Sequence, residues 1–220
     1  MLVSKQEFKA KIWKIYRIVL RKIDPFPHLR YVKKKKFIFI HIPKTAGTSV
    51  LKALGIDFRF HLEWPILEAA NPQLFRKSYK FCFVRNPYDR LVSVYTYIKG
   101  GGAGGVDREF QQLLKDRYET FDKFVLEYLD KDIIHEHPLL KPQYLYIFDF
   151  LGNQKVDYIG KFENLEKDFF YISSVISVHA ELPCVNTSKR EKYSAYYSSE
   201  LKNKVSTLYS KDFEMLEYTK

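Results

Sequence analysis

The stretch Phe37–Leu51 constrains the fold more than any other part of the chain. It opens with Phe37–Ile40, a short apolar run of aromatic and β-branched residues that predicts a buried strand. It closes with Thr48–Leu51, which predicts the first turns of a helix, and Pro43–Gly47 (sequence PKTAG) lies between them. A strand, a tight turn and a helix start in this order direct backbone N–H groups and a helix dipole at an anion. The stretch therefore predicts an anion-binding turn.

The side chains of this turn favour a phosphate or a sulfate as the anion. Lys44 adds a full positive charge, and Thr45, Thr48 and Ser49 add hydroxyl donors. The nucleotide loop of ATP- and GTP-binding proteins has the order GxxxxGK[ST], in which the lysine follows the second glycine. Here Lys44 precedes Gly47, and no glycine lies four or more residues upstream in the loop. This P-loop-like turn is therefore not expected to bind ATP or GTP.

A second strand–turn–helix signal follows roughly forty residues later, in the sequence KFCFVRNPYDRLVSVYTY. Phe81–Val84 predicts a buried strand, Arg85 stands at its end, and a helix is predicted over about 89–98. Pro87 is expected to block entry into the helix directly after the strand. Arg85 and Ser93 are eight positions apart. This spacing can bring a forked guanidinium donor and a hydroxyl onto one phosphate.

Together the two motifs resemble those of sulfotransferases that use 3′-phosphoadenosine 5′-phosphosulfate (PAPS). PKTAGTS resembles the 5′-phosphosulfate loop of this family, and RNPYDRLVS resembles its 3′-phosphate motif, with the Arg and the Ser both present. Further along, Val156–Phe169 resembles the third strand and following helix of carbohydrate sulfotransferases, and Val185–Tyr197 resembles their late basic loop. The resemblance extends over about 37–218 and points to carbohydrate sulfotransferases, including the heparan-sulfate 2-O type, with this chain as a bacterial-like member.

The resemblance implies a set of cofactor-binding residues and a chemistry that requires no metal. Lys44 is expected to be catalytic, because it is placed to meet the negative charge that develops on the leaving phosphate during in-line transfer. The late loop is expected to close over the cofactor, and which of its cations contacts phosphate stays open. The residues expected to bind PAPS are Lys44, Thr45, Ala46, Gly47, Thr48, Ser49, Arg85, Ser93, Ser188, Lys189 and Arg190.

A hydroxyl acceptor needs a general base, and two residues compete for that role. His61 lies between the two phosphate motifs, where several glycan sulfotransferases that this chain resembles place a catalytic His or Glu. An unperturbed histidine titrates near pH 6.5, so it can accept a proton at neutral pH. Glu63 is the alternative if burial raises its pKa. Further on, Glu163 is expected to orient Lys161 or an acceptor hydroxyl, with a structural ion pair as the alternative.

The charge of the chain favours anionic partners. Its formal net charge is +11, which suits a phosphorylated and sulfated nucleotide or an acidic glycan. A glycan or glycolipid acceptor is therefore expected, and no nucleic-acid-binding signature is present. Two alternatives stay open: a P-loop-like kinase for a small molecule, and a non-catalytic module that binds polyanions or membranes. The oligomeric state stays open as well.

The pattern of strands and helices predicts one α/β domain, with a central, mostly parallel sheet flanked by helices. We divide the chain into 1–36, a basic amphipathic helix and its lead-in, and 37–220, the sulfotransferase domain. Residues 1–24 have an apolar and a basic helical face, and contact with an anionic membrane surface is one interpretation of them. Further strands are predicted at 144–148 and 156–160, helices at 120–130, 138–144, 164–178 and 198–209, and a mobile acceptor-side loop at 100–105.

Cysteine use and hydropathy lead to an expectation about location. The two cysteines, Cys82 and Cys184, give no disulfide framework, which favours a reducing compartment. No apolar run reaches the length of a membrane-spanning helix, and no secretory signal is visible. A cytoplasmic location, peripheral to the membrane through 1–24, is therefore expected. A Golgi location is expected only if an anchor has been removed.

Overall fold

A parallel sheet lies at the centre of the computed structural model, which describes residues 29–57, 60–183 and 191–220. Within these residues the strands are β1 (Phe37–Ile40), β2 (Tyr79–Val84) and β3 (Tyr158–Lys161), in the spatial order β1-β2-β3. Both pairings are parallel, so the carboxyl ends of all three strands meet at one edge of the sheet. This is the edge where open α/β sheets bind ligands. The predicted fold class is confirmed.

Helices surround the sheet and account for most of the remaining regular structure. The helices of the described residues are α1 (Leu29–Lys35), α2 (Gly47–Ala53), α3 (Trp64–Ala70), α4 (Pro72–Lys77), α5 (Pro87–Lys99), α6 (Val106–Arg117), α7 (Phe121–Lys123, which continues as a π turn over Phe124–Tyr128), α8 (Lys131–Glu136), α9 (Leu165–Val175), α10 (Ser199–Leu208) and α11 (Ser210–Met215). Short 3₁₀ turns lie at Gln143–Tyr146, Phe162–Asn164 and Tyr193–Tyr196. Among these helices none is long and apolar enough to cross a membrane.

Both faces of the sheet are buried, which explains the continuous apolar runs of β1 and β2. Successive side chains of a strand point to opposite faces. One face of the sheet carries Phe39 and Phe81, which pack with α2 and α9. The other carries Ile40 and Cys82, which pack with residues of α3 and α4. Cys82 is thus a core residue, as expected, and burial raises the pKa of its thiol.

The prediction that Pro87 blocks helix entry is wrong, because Pro87 is the first residue of α5. The first position of a helix needs no N–H donor, and the fixed φ of proline suits it. Asn86 caps the helix through its side-chain oxygen, which accepts a hydrogen bond from the Tyr88 N–H at 2.9 Å. Helix α5 can therefore follow β2 almost directly, which brings Arg85 and the first turns of the helix together.

The predictions of a strand at 144–148 and a helix at 138–144 are also wrong. Gln143 and Tyr144 begin a 3₁₀ turn because the Asp212 carboxylate accepts both of their N–H groups, at 3.0 and 2.8 Å. The chain over 137–142 forms turns, and the helix of this region is α8, which ends before them. Pro138 and Pro142 bracket this stretch and lack the N–H groups that a helix would need.

The lead-in before β1 is partly described. In α1, Val32 is buried in the core, whereas Lys33 and Lys34 are exposed. Lys36 follows with φ 59°, a left-handed conformation that ends the helix one residue before β1. The predicted helix over 1–24 lies outside the described residues, and the division of the chain at residue 36 stays a prediction.

Candidate active site

The turn between β1 and α2 has the tight geometry expected of an anion-binding turn. Lys44 and Ala46 adopt left-handed conformations, with φ 67° and 64°. Ala46 is the N-cap of α2, and its carbonyl accepts hydrogen bonds from the N–H groups of Ser49 and Val50 at 3.0 and 3.2 Å. Left-handed non-glycine residues cost free energy and persist where the surrounding structure enforces them, commonly at functional sites.

The hydroxyls of the turn differ in their surroundings. Thr45 is fully buried, and its hydroxyl donates a hydrogen bond to the Ile42 carbonyl at 2.9 Å. The Thr45 side chain therefore stabilises the turn and is not exposed to a ligand. Thr48 is exposed, whereas Ser49 is buried. The two hydroxyls at the start of α2 thus differ in their access to solvent.

Gly47 is required at the start of α2 because the ring of His41 lies against it. A Cβ atom added at position 47 would come within 1.9 Å of His41 Cδ2 and 2.1 Å of His41 Nε2. Real Cβ atoms do not approach other atoms so closely, and His41 is only 8% exposed, so it has little room to move. The glycine therefore permits a close approach between the turn and the end of β1.

Arg85 joins the second motif to the first. Its Nε donates to the Asp89 carboxylate at 2.7 Å, and its Nη1 donates to the Lys44 carbonyl at 3.3 Å. Its guanidinium also lies 3.8 Å from the centre of the Phe162 ring, which follows β3. Ser93 is buried on α5. The two motifs that the sequence separates by some forty residues thus meet at one edge of the sheet.

His61 lies beside the turn with its tautomer fixed. Its Nδ1 is 2.9 Å from the His41 carbonyl oxygen, and the two imidazole rings are 4.2 Å apart. A carbonyl oxygen only accepts, so Nδ1 carries the proton and Nε2 keeps a lone pair. Burial lowers the pKa of His61, the hydrogen bond to the His41 backbone opposes this shift, and the charge of Lys44 adds to it. His61 is therefore a neutral base at pH 7.

Comparison with known proteins assigns this arrangement to a family. The model of the sulfotransferase family matches residues 27–219. The chain belongs to this family. The match covers both motifs and the third strand, all of which converge on the edge of the sheet described above.

Individual sulfotransferases and one further protein resemble the chain. Carbohydrate sulfotransferase 11 of Mus musculus is 26% identical over an alignment that covers 87% of this chain and 67% of the relative. The protein of the same name from Rattus norvegicus matches to the same extent. An uncharacterized protein of Archaeoglobus fulgidus is 32% identical over 133 residues, which cover 59% of this chain and 94% of the relative. The comparison with solved structures gave no match.

In this sulfotransferase, Glu63 and Glu163 are both engaged by other groups. The Glu63 carboxylate forms an ion pair with Lys141 at 2.7 Å. Glu163 accepts hydrogen bonds from the Asn86 N–H and from the Tyr218 hydroxyl, both at 2.8 Å. Glu163 therefore ties the second motif to the C-terminal segment. The Lys161 ammonium instead donates to the Glu217 carbonyl at 3.3 Å.

The late-loop residues that were predicted to bind the cofactor lie outside the described part of the chain. Ser188, Lys189 and Arg190 belong to the undescribed stretch 184–190. Across 29–57, 60–183 and 191–220, no three His, Cys, Asp or Glu side chains form a group that could hold a metal ion.

The sequence analysis missed two residues of the site. The Lys44 ammonium lies 3.7 Å from the centre of the Tyr97 ring, and the Tyr97 hydroxyl donates to Asp107 at 3.0 Å. One signal was available, because Tyr97 follows Ser93 by four residues and so lies on the same face of α5. The role of Asp107 depends on how the glycine-rich loop 100–105 folds, and the sequence pattern does not reveal this conformation.

Proposed function

We propose that this sulfotransferase moves the sulfuryl group of PAPS to a hydroxyl of a carbohydrate acceptor, in a polysaccharide, a glycolipid or another glycan. The observation that carries the proposal is the contact between the Arg85 guanidinium and the Lys44 carbonyl. It joins the two motifs whose resemblance to the family implies binding of the 5′-phosphosulfate and the 3′-phosphate. The carbohydrate acceptor is supported by the relative named carbohydrate sulfotransferase 11.

The two ends of the nucleotide would bind to different motifs. The turn Lys44–Ser49 would hold the 5′-phosphate through backbone N–H groups and through the exposed Thr48 hydroxyl. Arg85 and Ser93 would hold the 3′-phosphate. Ser188–Arg190 would close over the bound cofactor. Arg85 is suited to bind the 3′-phosphate because a guanidinium can donate several hydrogen bonds. It can therefore bind phosphate and keep a protein partner at the same time.

The reaction is a direct in-line transfer in this proposal. The acceptor hydroxyl gives its proton to His61 Nε2 as its oxygen forms a bond to sulfur. The bond between sulfur and the bridging oxygen of the 5′-phosphate breaks, and 3′-phosphoadenosine 5′-phosphate (PAP) leaves with the electron pair. The Lys44 ammonium stabilises the charge that grows on that phosphate. His61 is favoured over Glu63 because the Glu63 carboxylate is already paired with Lys141.

The proposal is tested by nucleotide binding and by transfer. In calorimetric titrations PAP should bind, and ATP with magnesium should bind more weakly or not at all. Radiolabelled PAPS should then label at least one acceptor in a panel of desulfated polysaccharides and glycolipids. Preference for ATP with magnesium would instead support the kinase alternative. If the protein binds polyanions but does not bind PAP, this result would support a non-catalytic module.

Lys44→Ala provides the matched test of the catalytic role. Transfer should fall on the order of 10²-fold or more, because one charge contact to the leaving group is lost. Lys52→Ala is the control, since Lys52 is an exposed lysine at the end of α2. Near-native turnover in Lys44→Ala would exclude Lys44 as the residue that stabilises the leaving group.

A further inference from the structure

The ammonium group of Lys44 lies over an aromatic ring in this structure. Its Nζ is 3.7 Å from the centre of the Tyr97 ring, well inside the range in which a cation is attracted to the face of a phenol. Tyr97 is half-buried on α5, one turn beyond Ser93. A lysine side chain has four rotatable bonds, so its ammonium group can sample many positions. The ring restricts it to one side of the turn.

Tyr97 is itself held by Asp107, in the first turn of α6. The Tyr97 hydroxyl donates to the Asp107 carboxylate at 3.0 Å. Burial and this hydrogen bond raise the pKa of Tyr97 to about 12, so the phenol stays protonated at neutral pH and remains the donor. The same oxygen of Asp107 accepts the Ala103 N–H at 2.8 Å. Asp107 therefore connects Tyr97 to the segment that precedes α6.

That segment is the glycine-rich loop 100–105, and its conformation is built around Asp107. Four of its glycines have positive φ, so the loop needs residues without a Cβ atom; they are Gly101, Gly102, Gly104 and Gly105. A Cβ atom at Gly102 would lie 2.4 Å from the Asp107 Cβ. The Gln111 side chain also donates to the Lys99 carbonyl at 2.9 Å, across the base of the loop. The loop thus has a defined shape that depends on α6.

We propose that Tyr97 is a positioning residue for Lys44, and that Asp107 links the shape of the glycine-rich loop to the position of the Lys44 ammonium. The contacts form a continuous path from Ala103 through Asp107 and Tyr97 to Lys44. A molecule that binds the loop and displaces Ala103 from Asp107 would thereby change how firmly Lys44 is held. The inference rests on the proposed function, because it concerns the residue that meets the leaving group.

The position of Lys44 is tested directly by nuclear magnetic resonance of the chain without nucleotide. Reductive methylation places isotope-labelled methyl groups on lysines and preserves their charge. The Lys44 signal, identified by its loss in Lys44→Arg, should be shifted by the ring current of Tyr97. Tyr97→Leu should move this signal toward the position of exposed lysines, whereas Tyr97→Phe, which keeps the ring but loses its hydrogen bond to Asp107, should move it only part of the way. The control is Tyr128→Leu, which removes a half-buried tyrosine ring of the π turn and should leave the signal unchanged.

The consequence for chemistry is tested by the cleavage of PAPS to PAP with water as the acceptor. Tyr97→Leu should slow this cleavage about 2- to 30-fold, the range of a cation–π contact expressed as a rate, with PAP affinity unchanged. Tyr97→Phe should keep most of the rate. Because Asp107 acts through the Tyr97 hydroxyl, Tyr97→Phe combined with Asp107→Ala should be no slower than Asp107→Ala alone.

Three results would overturn the inference: an unmoved Lys44 signal in Tyr97→Leu, faster cleavage in Tyr97→Leu, or additive losses in the double variant. If Tyr97→Leu does not fold, Asp107→Ala takes its place, and an unmoved Lys44 signal there is equally decisive. These results differ from failure of the proposed function. A wild-type protein that does not bind PAP contradicts PAPS as the donor, whereas normal PAP binding with an unmoved signal contradicts the role of Tyr97 alone.

Discussion

At the scale of single residues, His61 has the protonation state that its proposed role requires. The His41 carbonyl fixes the proton on Nδ1, and burial together with the charge of Lys44 lowers the pKa of the ring. A lowered pKa keeps the imidazole neutral to more acidic pH than an exposed histidine, whose reference value is 6.5. The proposed base is therefore neutral at pH 7 without help from a carboxylate.

His61→Ala should lose about 10²- to 10⁴-fold in kcat, because general base catalysis is removed, and should bind PAP normally. In the wild type the rate should fall only below pH 6.5, as the His61 ring becomes protonated. This acidic limb of the pH–rate profile should vanish in the variant. Glu63→Gln should retain the limb. If the limb persists in His61→Ala and activity is lost in Glu63→Gln, the base is Glu63.

Arg85→Ala should weaken PAP binding by roughly 1.5–3 kcal/mol, the range for a hydrogen bond to a charged group. Adenosine 5′-monophosphate, which lacks the 3′-phosphate, should lose much less. Calorimetry with both nucleotides measures the difference, and equal losses would contradict the assignment of Arg85 to the 3′-phosphate. The unfolding free energy should be measured alongside, because Arg85 also pairs with Asp89 and contacts the Lys44 carbonyl.

At the scale of elements, a buried carboxylate supports the second motif from the far end of the chain. Asp212 in α11 is fully buried and accepts the N–H groups of Gln143 and Tyr144. The Gln143 side chain in turn accepts the Arg85 N–H at 2.9 Å and donates to the Arg85 carbonyl at 2.8 Å. The backbone at the end of β2 is therefore held by a side chain that Asp212 positions.

Asp212→Ala should lower the unfolding free energy by at least about 1–3 kcal/mol, because it leaves buried donors without an acceptor. Chemical denaturation measures this loss, and PAP affinity should fall with it because Gln143 supports Arg85. Asp116→Ala is the control, since Asp116 lies on the exposed side of α6, where its side chain accepts from Gln112. Native stability of Asp212→Ala would show that the turn at Gln143 forms without this cap.

The elements that the sequence predicted well are those encoded locally. The apolar runs before Lys44 and Arg85 are strands and a helix follows each of them, because each signal lies within a short contiguous stretch. The stretch 144–148 is apolar enough for a strand. However, the carboxylate of Asp212, 68 residues from Tyr144, accepts the Tyr144 N–H. The site follows the same rule. Lys44 and Arg85 stand in contiguous motifs, whereas Asp107 enters the site only through the fold of the glycine-rich loop.

At the scale of the whole molecule, buried neutral histidines make folding sensitive to acid. Burial, with a smaller effect of the nearby His61, lowers the pKa of His41 to about 3 from a reference value of 6.5. The unfolded chain therefore binds a proton at His41 as the pH falls below 6.5, and the folded chain does not. His61 and His137, whose pKa values burial also lowers, act in the same direction.

The unfolding free energy should therefore decrease as the pH falls from 7 to about 4, with a contribution from His41 on the order of a few kcal/mol. His41→Asn should flatten this dependence, because it removes the group with the largest lowering. Urea unfolding at a series of pH values measures it. His179→Asn is the control, since His179 is exposed. An equal slope for wild type and His41→Asn would show that His41 is protonated in the folded state.

The burial of Cys82 at the centre of the sheet has a practical consequence. The thiolate is the reactive form of cysteine, and burial disfavours it here, so thiol reagents should leave Cys82 unmodified while the protein stays folded. The chain contains two cysteines, and the other is Cys184, four residues before Ser188. Any fluorophore that the folded protein takes up through a thiol is therefore attached to Cys184, close in sequence to the residues proposed to close over the nucleotide.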